Sequence, residues 1–227
     1  PPRRARHRQP AVLLMRRYAQ DVAALARKDL LLELRARDTL PAMLLFIVAT
    51  FVVFHFALPD GSSDRSAKGL LWVAILFTTV LGLTRAFVAE REQRLMDALL
   101  LAPCDRSAIW LGKSIAVLGF LAATEIVAVP VFALFFNGLD WKTVGGIALA
   151  DIGIVTVGTL LSAMASVTRA RELLLPLLFL PLAVPIIVGG VGASVEPSPG
   201  RYLGFLALYD GVFAIISWAS FEYVVTE

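Results

Sequence analysis

The chain has 227 residues, of which 58% are hydrophobic and 17% are charged, and its mean hydropathy is +0.77. A soluble domain is usually about 45–50% apolar, so this composition indicates a membrane protein. The formal net charge is +3, and the single cysteine and two histidines exclude an internal disulfide, a cysteine-based iron–sulfur site and a histidine-based metal site.

The first 38 residues are predicted to be a basic arm that contains an amphipathic helix. Apolar residues recur at helical spacing over about 12–38, with Arg and Lys between them. Such a helix lies in the membrane interface with its basic residues on an anionic leaflet, and the alternative is direct contact with a partner subunit. Asp38 or Thr39 is in position to cap the next helix, with Pro41 in its first turn.

Six apolar runs are each long enough for a transmembrane helix, which needs roughly 20 mainly apolar residues. They lie at about 40–58, 69–89, 114–136, 144–167, 172–193 and 202–221. The predicted fold is therefore all-α. It is a polytopic membrane protein with an N-terminal arm and interfacial helix in residues 1–38 and a six-helix transmembrane domain in residues 39–227.

Lys and Arg are unequally divided between the two sides of these spans. If the N-terminus is cytoplasmic, the outer side holds only four of the 21 basic residues: Arg65, Lys68, Lys142 and Arg201. Because basic residues accumulate on the cytoplasmic side, both termini are predicted to be cytoplasmic. The longer inner loop is then residues 90–113.

The stretch FVAEREQRLMDALLLAPC, residues 87–104, is predicted to hold a short charged amphipathic helix at about 90–103. Glu90 and Arg94 are four residues apart in the order that stabilises a helix, and Pro103 ends it. One interpretation is a connector on the membrane surface. The other is a coupling helix, which fits its leucine ridge into a groove on a cytoplasmic ATPase. The candidate ATPase-coupling residues are Glu90, Arg91, Glu92, Arg94, Leu95, Leu99 and Pro103.

Four stretches carry a resemblance to a known family. They are RKDLLLELRARDTL before the first span, LLWVAILFTTVLGLTRAFVAEREQRLMDALLLAP through the loop, GKSIAVL at the third span and RARELLLPLLFLPLAVPIIV in the fifth. Together they resemble ABC-2-type permease subunits and, among these, the heme exporter protein B (CcmB) family of cytochrome c maturation. The resemblance covers about residues 25–225 and rests on the ordered set. The family often has a glycine near Gln93 or Arg94, which this chain lacks, so its coupling helix is expected to be more continuous.

The resemblance implies a function and a set of partners. The chain would be the non-enzymatic transmembrane subunit of a heme-export complex in a bacterial inner membrane, with ATP hydrolysed on a separate CcmA-like ATPase. A second copy of the chain, a CcmC-like heme-handling protein, a CcmD-like small protein and a CcmE-like heme chaperone are the other expected partners. ATP would power release of the heme-loaded chaperone, and heme would be held by the partner proteins.

The residues also bear on several other functional classes. An ABC-2 exporter of a lipid, drug or glycan stays open, as does a membrane enzyme or assembly scaffold. The letters GKS at 112–114 resemble the end of a phosphate-binding loop, but position 107 is Ser107 where that pattern needs glycine, and no strand precedes it. An aspartyl intramembrane protease would need a G-x-G-D motif, whereas Asp151 follows ALA. No metal site and no nucleic-acid partner are predicted.

Ionisable groups are expensive in a membrane, so four polar residues inside the apolar runs are candidates for function. Glu125 lies near the middle of the third span, Asp151 in the outer half of the fourth, and Asp210 near the middle of the sixth. Each acid either pairs with polar groups between helices, with Thr and Ser of the second and fourth spans as donors, or lines a cavity or partner-facing site. His55, near the outer end of the first span, is predicted to be a hydrogen-bonded interfacial histidine, with heme ligation as the alternative.

Two features concern the outer ends of the spans. Aromatic residues near span ends are predicted to form interfacial belts: Trp72, Trp110, Trp141 and Tyr202. The fifth span contains Pro176, Pro181 and Pro185, which predict a kink. The following VGGVGASVEPSPG, residues 188–200, is predicted to be a flexible outer segment with a short re-entrant or surface element.

Overall fold

The computed structural model describes residues 11–36, 39–59, 64–85, 105–136, 138–166 and 171–226. Within these residues the chain is all-α. The helices are α1 (Ala11–Ala36), α2 (Thr39–Ala57), α3 (Asp64–Arg85), α4 (Arg106–Phe136), α5 (Trp141–Ser166), α6 (Arg171–Val195) and α7 (Pro199–Thr226). The six helices from α2 to α7 are long and apolar enough to cross a membrane, which confirms the predicted fold class.

Helix α5 is the centre of the bundle. In its most apolar window 67% of the residues are buried, against 17% in α2 and in α7, so α2 and α7 lie at the periphery. Helix α5 contacts α6 and α7 most extensively and also packs on α4. A small residue also lets α3 approach α5 closely, because a Cβ at Gly158 of α5 would come within 2.6 Å of the Leu83 side chain on α3.

Helix α4 differs most from its predicted span. It begins at Arg106 rather than at 114, and its 31 residues extend about 46 Å at 1.5 Å per residue. A bilayer core is about 30 Å thick, so the first turns of α4 project beyond it. Asp105 caps this start, since the backbone N–H and the hydroxyl of Ser107 both donate to Asp105 Oδ1, at 3.0 and 2.8 Å.

Helix α1 packs along these first turns of α4 rather than standing alone as an arm. The contacting pairs, in the same order along both helices, are Tyr18 with Ser107, Leu25 with Gly112 and Leu30 with Gly119. The two helices therefore run side by side in the same direction. Val22 and Ala26 are buried on this side of α1, whereas Arg27 and Leu31 are exposed.

The three residues of the GKS stretch, 112–114, each have a structural role inside α4. A Cβ at Gly112 would come within 2.8 Å of α1, so glycine permits the close approach of the two helices. The Lys113 ammonium pairs with Asp29 Oδ2 at 3.1 Å. The Ser114 hydroxyl lies 3.3 Å from the Thr159 hydroxyl on α5. A phosphate-binding loop follows a strand, whereas these residues lie within a helix.

The prediction of a flexible outer segment at 188–200 was wrong. Helix α6 continues to Val195 in spite of its three prolines, and α7 already begins at Pro199. The glycines that suggested flexibility lie where α6 contacts neighbouring helices. A Cβ at Gly190 would overlap the ring of Trp72, and a Cβ at Gly192 would overlap the ring of Tyr202. These glycines let α3 and α7 approach α6 closely, as small residues do between membrane helices.

Trp72 also differs from its prediction. It was expected in an interfacial belt, but it is 0% exposed and packs inside the bundle against α6. Its indole Nε1 donates a hydrogen bond to Ser194 Oγ at 3.0 Å. The polar atom of the ring is thus satisfied by a neighbouring helix, which removes the need for a water-facing position.

Candidate functional site

The predicted ATPase-coupling residues at 90–103 lie outside the described residues. What the described chain shows is how their segment is attached. Helix α3 ends at Arg85 and α4 begins at Arg106, so the segment joins these two helices at the end of the bundle where α1 packs on α4.

Glu125 of α4 and Asp151 of α5 meet inside the bundle. Their carboxyl groups lie within hydrogen-bonding reach of each other, and Asp151 is 4% exposed. An ionised carboxylate only accepts hydrogen bonds, so a bond between them requires a proton on one of the two groups. Glu125 Oε1 and Asp151 Oδ1 are buried and accept no hydrogen bond from the described residues. A hydrogen bond between the two groups would thus need one shared proton, and two buried acceptor oxygens are left without a partner among the described residues.

Three of the hydroxyl groups that the sequence suggested as donors to these acids bond elsewhere, and a fourth, that of Thr79 on α3, is buried without a hydrogen-bond partner among the described residues. On α3, Thr78 donates to the carbonyl oxygen of Ala74 at 2.7 Å. On α5, Thr159 donates to Val155 O at 2.7 Å, and Thr156 also donates to carbonyl oxygens of its own helix. Among the described residues, the side chain within hydrogen-bonding reach of Glu125 is thus another acid.

Asp210 of α7 occupies a different position. It is 5% exposed, and its carboxyl lies against Gly153 of α5, where a Cβ would overlap it. Neither carboxyl oxygen accepts a hydrogen bond within the described part of the chain. Residues two apart on a helix point in different directions, so Asp151 and Gly153 lie on different faces of α5. The structure brings Glu125 and Asp151 together and leaves Asp210 at a separate contact.

The residue before Asp210 fixes α7 against α6. The Tyr209 hydroxyl donates to Leu182 O at 2.6 Å, and its ring stacks on Phe213 with centroids 4.3 Å apart. Hydrogen bonds between membrane helices contribute on average about 0.6 kcal/mol, so this contact adds orientation more than stability.

His55 lies in the last turn of α2 and is exposed. Its ring contacts Phe56, Phe135 and Phe136, with centroids 5.4, 5.0 and 6.0 Å away. It forms no hydrogen bond with any residue that the structure describes, unlike the hydrogen-bonded histidine that the sequence predicts.

The sequence reasoning missed a buried polar cluster around Lys68, at the start of α3. Lys68 is 4% exposed, and its ammonium lies 2.8 Å from Asp64 Oδ2, 3.3 Å from Asp140 Oδ2 and 3.0 Å from Ser194 O. It therefore ties α3 to the start of α5 and the end of α6. The sequence feature that could have indicated this cluster is Asp64, which lies four residues before Lys68 at the edge of an apolar run.

Asp140 is both a partner of Lys68 and the cap of α5. The backbone N–H and hydroxyl of Thr143 donate to Asp140 Oδ1 at 2.9 and 2.7 Å. Partial burial by itself raises the pKa of Asp140, but the hydrogen bonds from Thr143 and Lys68 outweigh it and hold the pKa below its ordinary value. Asp140 therefore stays ionised at neutral pH and keeps its charge for Lys68.

Comparison with known proteins gives matches over most of the chain. Residues 20–217 match the CcmB protein family. Heme exporter protein B of Bradyrhizobium diazoefficiens is 32% identical over 181 residues, covering 76% of this chain and 80% of the relative. The proteins of the same name from Paracoccus denitrificans and Pseudomonas aeruginosa are each 31% identical, over 194 and 195 residues. These alignments cover 81% of this chain and 88% and 86% of the relatives.

These matches confirm the resemblance found in the sequence. The family match runs in one continuous stretch from α1 into α7, up to residue 217, and includes the segment between α3 and α4. With its family match, its relatives and its six potential membrane spans in agreement, the chain belongs to the CcmB protein family.

Proposed function

We propose that the chain is the transmembrane permease subunit of a heme-export complex that is driven by ATP hydrolysis on a separate CcmA-like ATPase. The observation that carries this proposal is the match to three relatives named Heme exporter protein B over most of their length. The helical position of GKS supports a nucleotide site on another chain. The chain itself is then not an enzyme.

The proposed orientation places both termini in the cytoplasm of the bacterial inner membrane. Few basic residues lie on the proposed outer side, and two of them form ion pairs with acidic residues. Lys68 contacts Asp64 and Asp140, and Arg65 lies 2.9 Å from Glu196 Oε1. The orientation is supported by the count of basic residues itself, because only four of the 21 Lys and Arg lie on the outer side.

The segment of about residues 90–103 is the proposed docking site for the ATPase. Its attachment supports this role, because α4 begins there, is flanked by α1 and continues through the bundle as a 31-residue helix. Further along, α4 meets the central helix α5 at the Glu125–Asp151 contact. A displacement of the segment would therefore reach the middle of the bundle through one continuous helix.

The remaining partners follow from the proposed complex. A second copy of the chain and CcmC-like, CcmD-like and CcmE-like proteins would complete it, and ATP would be used to release the heme-loaded chaperone. The division at residues 38 and 39 into an arm and a membrane domain also stays a proposal, because α1 packs along α4.

The composition of the native complex tests this proposal. We expect the tagged chain, purified from its own membranes in mild detergent, to bring an ATPase chain and cytochrome c maturation proteins with it, and the preparation to hydrolyse ATP. Mass spectrometry identifies every bound chain, and an unrelated membrane protein with the same tag is the control. An ATPase accompanied by lipid- or glycan-export proteins would favour another ABC-2 exporter, and the absence of any ATPase would contradict the proposal.

Glu125 is expected to matter because it holds or shares a proton. In Glu125→Gln the amide can still donate a hydrogen bond to Asp151, so packing is retained, but the side chain can no longer gain or lose a proton. We expect normal membrane insertion and at least a severalfold loss of assembled cytochrome c, measured by heme staining of whole cells.

The neighbouring Thr124→Ala is the matched control. Among the described residues its hydroxyl bonds to Phe120 O of its own helix alone, at 2.9 Å, so cytochrome c levels should be unchanged. Normal levels of cytochrome c in Glu125→Gln would assign the acid a purely structural role.

A further inference from the structure

A buried acid and a partly exposed acid lie against each other between α4 and α5. Asp151 of α5 is 4% exposed, and its carboxyl group is within hydrogen-bonding reach of Glu125 on α4. Glu125 is only half-buried, and the next residue, Ile126, is 74% exposed. These two acids are called the carboxyl pair below. One member therefore lies inside the bundle, whereas the other borders its lipid-facing surface.

The packing of α4 on α5 holds the carboxyl pair together. The contacts between the two helices occur in opposite order along the chain, so the helices are antiparallel. On the side of the pair nearer to α1, the hydroxyl oxygens of Ser114 and Thr159 are 3.3 Å apart. Ala128, one turn after Glu125, and Ile154, one turn after Asp151, are both buried. The two acids thus meet within an extended helix contact that does not depend on their own interaction.

Among the described residues, the charged group that faces Glu125 is Asp151 itself. Ionisable side chains on the neighbouring helices have other contacts: Asp29 with Lys113, Lys68 with Asp64 and Asp140, Arg65 with Glu196, His55 with phenylalanines, Tyr209 with Leu182, and Asp210 with Gly153. Two buried oxygens of the pair, Glu125 Oε1 and Asp151 Oδ1, have no hydrogen-bond partner in the described part of the chain.

A proton is the ligand that this arrangement suits. Two carboxylates in contact inside an apolar bundle repel each other, and burying them without a cation is costly. One proton removes one of the two charges and supplies the donor for a hydrogen bond between the groups. Because the two groups interact, they take up and release protons as one unit.

We propose that the carboxyl pair binds one exchangeable proton, with Glu125 as the residue through which the proton enters and leaves and Asp151 as its buried partner. Binding forms one O–H bond on the pair and takes the proton from hydronium, and release returns it to water, so no other reactant is needed. The proposed function names heme and ATP, so the inference adds a proton as a further ligand and does not depend on the cargo of the complex.

The position of the carboxyl pair gives the proton a mechanical consequence. With the proton bound, the pair joins α4 to the central helix α5. Without it, two like charges lie between these helices and weaken their contact. Since α4 is the helix that follows the proposed ATPase-docking segment, occupancy of the pair determines how firmly movement of α4 is passed to α5.

Labelling of the purified chain in lipid nanodiscs with dicyclohexylcarbodiimide tests the proposal. This apolar reagent reacts with protonated carboxyl groups: the carboxyl oxygen joins the carbodiimide carbon, and the carboxyl proton moves to a carbodiimide nitrogen. We expect labelling of Glu125, mapped by mass spectrometry, that falls as the pH is raised. Asp151→Asn should reduce it severalfold at neutral pH, because the asparagine amide donates a hydrogen bond to ionised Glu125.

Asp210→Asn is the matched control for the labelling. Asp210 is 5% exposed and both of its carboxyl oxygens lack a partner among the described residues, but it lies against a glycine and not against a second acid. Its replacement should leave the labelling of Glu125 unchanged. Melting temperatures of both variants show whether each is folded as well as the wild-type chain.

Infrared spectra distinguish an exchangeable proton from one that is permanently bound. The C=O stretching band of the protonated pair should shift in deuterated buffer and disappear at high pH. The measurement uses the Asp210→Asn chain, so that the other buried acid does not contribute. Glu125→Gln added to that chain should lack the band.

The proposal is overturned by a carboxyl band that neither exchanges nor titrates, by the absence of the band, or by labelling of Glu125 that Asp151→Asn leaves unchanged. Labelling of Asp210 in place of Glu125 would also overturn it. These measurements use the isolated chain without ATP or heme. If they fail while the ATPase still co-purifies from membranes, only this inference fails and the proposed function stands.

Discussion

Replacing Leu95 and Leu99 together with Asp is expected to abolish capture of the ATPase by the tagged chain. Both leucines belong to the apolar ridge predicted from the sequence of the segment between α3 and α4. An anchor side chain at the centre of an interface contributes about 2 kcal/mol or more, so loss of two should lower affinity roughly a thousandfold. Co-purification from detergent-solubilised membranes, quantified against the wild-type chain, measures the effect.

The control for this variant is Gln93→Asp, which adds a negative charge to the same segment on the side away from the ridge. It should still capture the ATPase. Cys104 is the only cysteine, so its labelling by a membrane-impermeant reagent reports insertion and orientation in the same samples. Unchanged ATPase binding in the double variant would refute the coupling role. Labelling of Cys104 only from the periplasm would show that the chain is inverted and that a cytoplasmic ATPase cannot reach the ridge.

Gly190→Ala is expected to destabilise the bundle strongly although it adds only one methyl group. The new Cβ would overlap the ring of Trp72, which is 0% exposed and held by its hydrogen bond to Ser194. The ring also lies 3.5 Å from the position of a Cβ at Gly146, so it has little room to retreat. Overpacking of this kind costs about 1–3 kcal/mol, and we expect a lower melting temperature in detergent and reduced yield.

Gly211→Ala is the matched control for this change, because nothing lies within 4 Å of a Cβ at that position. It should melt like the wild-type chain. A second substitution, Trp72→Phe, makes room for the methyl group, so the double variant should be more stable than Gly190→Ala alone. Equal melting temperatures for Gly190→Ala and Gly211→Ala would contradict the packing described for α3 and α6.

The number and approximate position of the spans were predictable because they depend on a local property. Hydrophobicity over about 20 residues sets where a helix can cross a bilayer, and all six runs correspond to helices. The largest errors occurred where another helix decides the boundary. Helix α4 starts early because α1 packs on it, and α6 continues past its glycines because Trp72 and Tyr202 fill the space beside them.

The candidate polar residues show the same division. The cost of carboxyl groups in lipid singled out Glu125, Asp151 and Asp210 from the sequence. That the first two meet, while the third lies against Gly153, depends on how α4, α5 and α7 are rotated about their axes. The Lys68 cluster was missed for the same reason, since its partners come from three places along the chain.

The sequence by itself determined the family, the six potential spans, the charge asymmetry of the loops and the polar residues inside the apolar runs, because each of these is a property of one segment. Only the tertiary structure decided which of those residues meet. Glu125 with Asp151, Lys68 with Asp140 and Gly190 with Trp72 are contacts between segments far apart in the chain. Such contacts depend on how each helix is rotated about its axis and on differences of a few tenths of an ångström in the distance between helices. No pattern within a single span encodes either quantity.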